Sequence, residues 1–95
     1  MEIKIFEKTG EFAENKDTAR DIRLNEIVPA LERDEDVTLD FSKVNSATQS
    51  FIHALISQII RDKKVAVLDK IRFKNCNETI KKLIEIVIEY MQKPE

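Results

Sequence analysis

The sequence predicts a small α/β domain built on a mainly parallel sheet of three or four strands with about three helices. Period-two runs ("EIKIF", "VTLDF" and "IRFK") alternate with segments of helical period. The resulting order, β-α-β-α-β-α, argues for right-handed crossovers between parallel strands. At 95 residues and 42% apolar content, the chain is sized for one core, and so for one domain over residues 1–95.

Glu2 to Phe6 alternates and carries the β-branched Ile3 and Ile5, which reads as a strand. "EKTGEF", around Gly10, reads as a turn. From Asp17 to Arg33, the residues Leu24, Ile27, Val28 and Leu31 recur at i, i+3, i+4 and i+7, the spacing of a helix face. Pro29 lies inside that pattern and removes a backbone donor, so it kinks the helix or shifts its boundary. The charge cluster "RDEDV" ends the helix, and Val37 to Phe41 follows as the strongest strand, expected at the centre of the sheet.

Thr48 to Arg61 is the clearest helix. Phe51, Ile52, Leu55, Ile56, Ile59 and Ile60 fall on one side at 100° per residue and form a continuous apolar stripe. "KKVAVLDK" fits either a short strand or the tail of this helix. Ile71 and Phe73 then alternate with Arg72 and Lys74 in a further strand. In the last helix Ile80, Leu83, Ile84, Val87 and Met91 point inward. Asn75, three residues before Glu78, resembles a capping box, and Asn77 is the competing cap.

Composition excludes several function classes. Net charge is −2 and 36% of residues are charged with both signs mixed, which describes a solvated surface and not a nucleic-acid-binding face. No apolar run approaches the roughly 18 residues of a membrane span, and "MEIKIFEK" lacks the apolar region of a signal peptide. Cys76, the only cysteine, has no internal disulfide partner, so the cytoplasm is the expected compartment. A single glycine leaves no Gly-rich phosphate loop, and no His/Cys cluster has metal spacing. Neither a cofactor nor a metal is therefore expected.

The candidate site is the polar stretch from Ser42 to Thr48, because open α/β sheets place their sites at the carboxyl ends of strands. Ser46 or Thr48 could instead simply cap the following helix. On that helix Ser50, Ala54, Ser57 and Arg61 recur on the side away from the apolar stripe. Exposed helix faces usually carry Glu, Lys and Gln, so small residues there suit either a docking face or a second element packed over it, such as the N-terminal segment. His53 lies at the stripe's edge and fits a half-buried structural imidazole. Asp40 fits a carboxylate that caps the loop or the turn at Ser42. Cys76 opens the last helix, where a dipole can lower a thiol pKa, but it has no partner for chemistry. Lys63 with Lys64, and Lys81 with Lys82, are pairs without interleaved aromatics. Ile86 and Tyr90 widen the apolar surface of the last helix, either to close a flank or to form an interface.

The strand-loop-helix "LDFSKVNSATQSFIHAL", followed by "IRFKN" and "IKKLIE", resembles the STAS domains of anti-sigma-factor antagonists, and more closely the STAS-like group of unknown function. The resemblance implies a non-enzymatic module that binds a histidine-kinase-like ATPase or another signalling regulator. It also places Ser50 where such antagonists carry a phosphorylated serine. Thr48 and Phe51 stand where those antagonists usually have Asp and Gly. The partner-binding residues expected are Asn45, Ser46, Thr48, Gln49, Ser50, Ala54, Ser57 and Arg61, with no nucleic acid and no membrane involved. A homodimer is compatible with the sequence. Two other readings stay open: a dedicated inhibitor (an immunity protein or antitoxin that blocks a toxin) and an enzyme using Asp40, Asn45 and Ser46. If no metal is bound, a chelator leaves the melting temperature unchanged. Stoichiometric zinc or iron in protein purified without an affinity tag would contradict this.

Overall fold

In the computed structural model, which describes residues 1–92, the chain begins with β1 (Glu2–Lys4), α1 (Ile5–Thr9), β2 (Phe12–Ala13) and α2 (Lys16–Ile22). A π-helical turn (Arg23–Ile27) leads into α3 (Val28–Glu32), β3 (Val37–Asp40), β4 (Ser46–Ala47) and α4 (Gln49–Lys63). A 3-10 segment (Val65–Lys70), β5 (Ile71–Lys74) and α5 (Glu78–Gln92) complete it. β1, β3 and β5 form a parallel sheet with β3 in the centre, where "VTLDF" is expected. β2 and β4 make a separate two-residue parallel pair that no sequence pattern signals.

Register divides the sheet into two unlike faces. Ile3, Leu39 and Phe73 are partners in one row, and Val37 pairs with Ile71 in another. Partners in a parallel sheet share a face and neighbours along a strand alternate, so these five residues share the apolar face. The opposite face carries Glu2, Thr38 and Arg72 in one row and Lys4, Asp40 and Lys74 in the next. The strands are laid down in one direction, so right-handed crossovers put α2, α3 and α4 on the same side. α4 packs against both α2 and α5. Parallel sheets are usually covered on both faces. Here one face is covered and the other is a charged surface with Glu2, Lys4, Arg72 and Lys74 exposed. Ion pairs cross it, Lys74 to Glu2 at 3.2 Å and Arg72 to Asp36 at 2.9 Å.

The apolar stripe of α4 behaves as its periodicity predicts. Phe51, Ile52, Leu55, Ile56, Ile59 and Ile60 are all buried within the single core cluster. Thr48 is the cap, its hydroxyl accepting from Phe51 N–H at 3.0 Å. Asn15 caps α2 by accepting from Asp17 and Thr18 N–H. Asn77, not Asn75, caps α5, with Oδ1 accepting from Ile80 N–H at 2.9 Å. No helix among the described residues is long and apolar enough to cross a membrane.

Several expectations are corrected. The first strand ends at Lys4, its pairing ending with Asp40 at the end of β3, and Ile5–Thr9 winds into α1. Ile5 is still fully buried, as it would be on a strand. Gly10 ends α1 at φ 71°, ψ −156°, a conformation open to glycine and costly for other residues. The predicted helix from Asp17 to Arg33 is present, but the π-helical turn widens it just before Pro29. Val28 N–H bonds Arg23 C=O, five residues back, and Pro29 falls in the first turn of α3, where a missing donor costs little. The extra residue rotates the face, so Leu24 is exposed while Ile22 and Ile27 are buried. Val65 to Lys70 is neither strand nor a helix tail, because Lys64 breaks α4 at φ 69°, ψ 171°. The helical count rises to five because α1 is new and the π turn splits the helix expected from Asp17 to Arg33.

Leu55 sits at the centre of the α4 stripe and is fully buried. Leu55→Ala is expected to cost about 2–5 kcal/mol, a large share of a small domain's stability. A loss below about 1 kcal/mol in denaturant melts would contradict this packing.

Candidate functional site

At the carboxyl end of the sheet, the loop between β3 and α4 is fastened at several points. Asp40, 8% exposed, accepts through Oδ1 from Ser42 N–H at 2.9 Å and from the Asn75 amide at 3.0 Å. Asn75 is in the left-handed region at φ 59°, which explains why it serves this turn and leaves the cap to Asn77. Val44 is buried in the core. Asn45 N–H donates to Glu11 C=O, its amide reaches the Glu11 carboxylate, and its own C=O accepts from the Asn77 amide at 2.7 Å. Thr48 N–H donates to Ala13 C=O. Asn45 and Ser46 thus join three loops. They are separate in the network from Asp40, and no bond links the three into a catalytic group.

Two concave surfaces flank this loop. One is a depression of about 180 Å³ lined by Lys4, Phe6, Glu7, Asp40, Ser42 and Lys43. Lys43, at φ 70°, holds its ammonium 5.8 Å from the Phe6 ring centroid. The other is a shallow surface at the start of α4, lined by Lys16, Gln49, Ser50, His53 and Ala54. Thr48, Gln49, Ser50 and His53 are exposed there. His53 is therefore more exposed than its place at the stripe's edge suggests, and its Nδ1 lies 3.3 Å from Ser57 Oγ.

The expected outward face of α4 divides. Ser50 and Arg61 are exposed, but Ser57 is 4% exposed and Ala54 is half-buried. The covering element is α2 together with the π turn: Ala19 on α2 is fully buried, and Arg23 donates from Nη1 to Ala54 C=O at 2.7 Å. Small residues on this side of α4 let a neighbouring helix approach. Arg61 lies on the order of 16 Å from Ser50 along the axis, and its guanidinium faces Gln58.

Burial pushes the half-buried Cys76 thiol up, the opposite of an activated nucleophile. Lys63, Lys64, Lys81 and Lys82 are exposed, as are Ile86 and Tyr90 on α5. Lys16 at the α4 surface, and Lys4 and Glu7 at the mouth, were missed by sequence reasoning, and His53 was read as structural and not as part of this surface. Pairing of β1 with β3 sets Lys4 beside Asp40, and the tertiary approach of α1 and α2 brings Glu7 and Lys16 to these places.

Hydrogen bonds from Asn75 and from Ser42 N–H hold the Asp40 carboxyl below its ordinary value of 3.8, against a smaller opposing effect of burial and with help from Lys74 and Lys4. A carboxylate whose pKa is lowered by folding stabilises the protein fully above its unfolded pKa, and that contribution is lost as pH falls through the folded value. The parent is therefore expected to lose stability on acidification below about pH 4, with a shallower slope for Asp40→Asn. Asp40→Ala, which leaves both donors without their acceptor, is expected to cost about 1–3 kcal/mol at neutral pH. Equal acid slopes for parent and Asp40→Asn would contradict this.

The strand, loop and helix described above fall within the residues matched by a family model, the STAS-like domain of unknown function (DUF4325), which covers residues 19–81. Comparisons with curated proteins and with solved structures give no match. The matched segment runs from α2 through β3, the loop and α4 to the first turn of α5, more than half of the chain. The protein therefore belongs to the STAS-like family whose function is unknown.

Proposed function

We propose that this protein is a non-enzymatic regulatory module that works by docking another protein at the start of α4. The partner class is a histidine-kinase-like ATPase or a comparable signalling regulator. The observation that carries the reading is the exposed run Thr48, Gln49 and Ser50, joined by His53 one turn on and by Lys16 from α2. Gln49, Ser50 and His53 sit on a helix whose other side is fixed by six buried apolar residues, so the surface is presented on a rigid support.

Ser50 is the residue that would switch such a surface. It is exposed in the first turn of α4, one residue after the turn that Thr48 caps begins. Phosphate there meets the unpaired N–H groups of the helix start and the Lys16 ammonium nearby, so the fold tolerates it. The added charge of nearly two units would oppose an acidic partner surface or leave an uncompensated charge at a desolvated one.

The test is a pull-down from native extract, then titration of the partner recovered against the parent, Ser50→Asp and Gln49→Arg. Both variants are expected to keep the parent's circular dichroism and to lose about 2 kcal/mol or more of binding. Ala54→Arg serves as a contrast, because its longer side chain meets α2 and lowers stability instead. If Ser50→Asp and Gln49→Arg bind like the parent, this is only a solvated helix surface. A toxin as the partner would make the protein a dedicated inhibitor.

A further inference from the structure

The depression at the carboxyl end of the sheet has a charge arrangement that the docking surface does not use. Lys4, Glu7, Asp40 and Lys43 line one concavity, two positive and two negative. Among the described residues none of the four forms an ion pair, whereas Glu2, Lys74, Arg72 and Asp36 on the same side of the sheet are all paired. Asp40 is the anchor. The residue is 8% exposed, Oδ1 takes both hydrogen bonds, and Oδ2 has no hydrogen-bond partner among the described residues. The carboxylate also stays ionised, since its pKa is lowered. That second oxygen is not buried, since no buried side-chain polar atom among the described residues lacks a partner, so it is open at the concavity to a donor from a ligand in place of water.

Size and charge together restrict the ligand. A space of 180 Å³ is smaller than the roughly 300–1,000 Å³ of pockets that enclose drug-sized molecules, so a nucleotide or an organic cofactor would not be enclosed. A simple anion would be drawn by Lys4 and Lys43 but repelled by Asp40 and Glu7. A simple cation would meet the reverse. A small molecule carrying both signs gives each sign of the site an opposite charge, with its positive end on the acidic side and its negative end on the lysines. The Phe6 ring supplies an apolar wall and keeps the Lys43 ammonium over the site.

We propose that this depression binds a small zwitterion of the free amino acid class, its ammonium on the Asp40 carboxylate and its carboxylate between Lys4 and Lys43. The Ser42 side chain, which also lines the site, is available to the bound carboxylate. Such a ligand would be sensed at the mouth of the sheet, independently of any protein docked at α4.

The experiment is an NMR titration of the full chain, labelled with nitrogen-15, using glycine, serine, acetate and methylammonium as separate probes. Glycine or serine is expected to give saturable shifts in the amides of Lys4, Ser42, Lys43 and Asn75, with millimolar affinity. Acetate and methylammonium are expected to bind at least about tenfold more weakly, since each leaves two charges unanswered. Asp40→Asn keeps an acceptor for Ser42 and Asn75 but turns the free oxygen into a donor, and should weaken the zwitterion by about tenfold. Lys43→Gln, at an exposed position, should do the same without touching the fold, while Lys82→Gln, on the exposed face of α5, should leave binding unchanged. No saturable shift with either amino acid overturns the proposal. So does equal binding of acetate, which would mark a plain anion site, or of methylammonium, which would mark a site for a cation such as a partner's lysine.

Discussion

Burial of a single apolar layer, the α4 stripe and its neighbours against one face of three very short strands, is the constraint on which the rest of the structure depends. Strands of three or four residues do not hold together by ladder hydrogen bonds alone. Parallel pairing also requires a long crossover before each return. α2 with α3 supplies the first crossover and α4 the second, and both lie on the apolar side. The same helices that connect the strands therefore provide the surface that stabilises them.

One-sided burial explains where the polar groups go. Along each strand the residues that alternate with the core row emerge on a face that no helix among the described residues covers, and they are charged or hydroxylated. Exposed ion pairs such as Lys74–Glu2 contribute little stability each. Their effect is to keep an open, hydrogen-bonding sheet surface solvated. Asp40 belongs to that face by register but lies where the loops after β3 and β5 close over it, so it is buried while its row-mates Lys4 and Lys74 are exposed. Its carboxylate gives these loops a fixed acceptor, and that is why the mouth of the sheet has a defined shape.

What the sequence reveals follows from which features leave a periodic trace. α4 and β3 are legible because each has an unbroken pattern and is bounded by caps or turns. The N-terminal strand is legible only in part. Ile3 and Ile5 are buried alike whether the chain stays extended or winds into α1, so the spacing does not separate the two. Leu24 is misplaced because a π turn shifts the helical phase by one residue, and Pro29 signals a disturbance without its sense. β2 and β4, at two residues each, are too short to have a period. At the candidate site, Ala54 and Ser57 show the ambiguity of small residues, which suit an open surface and close helix packing equally well. Here the packing of α2 decides the matter. Asn75 and Asn77 are equally good caps by type, and the choice is made by Asp40, which lies 35 residues from Asn75 in sequence.

The two surfaces at this end of the molecule share the loop from Ser42 to Thr48, and the way it is fastened governs how they communicate. Ser42 is held by Asp40 at one end, and Thr48 is locked into the cap of α4 at the other. Between them Val44 is packed into the core, and Asn45 is bonded to both Glu11 and Asn77. Moving one end relative to the other would break several of these bonds and expose a buried valine. A charge added at Ser50 therefore has little leverage on the depression beside Asp40, and a ligand beside Asp40 has little on the first turn of α4. Any effect of modification at Ser50 has to be exerted where it stands, through what the altered charge admits or repels at the surface.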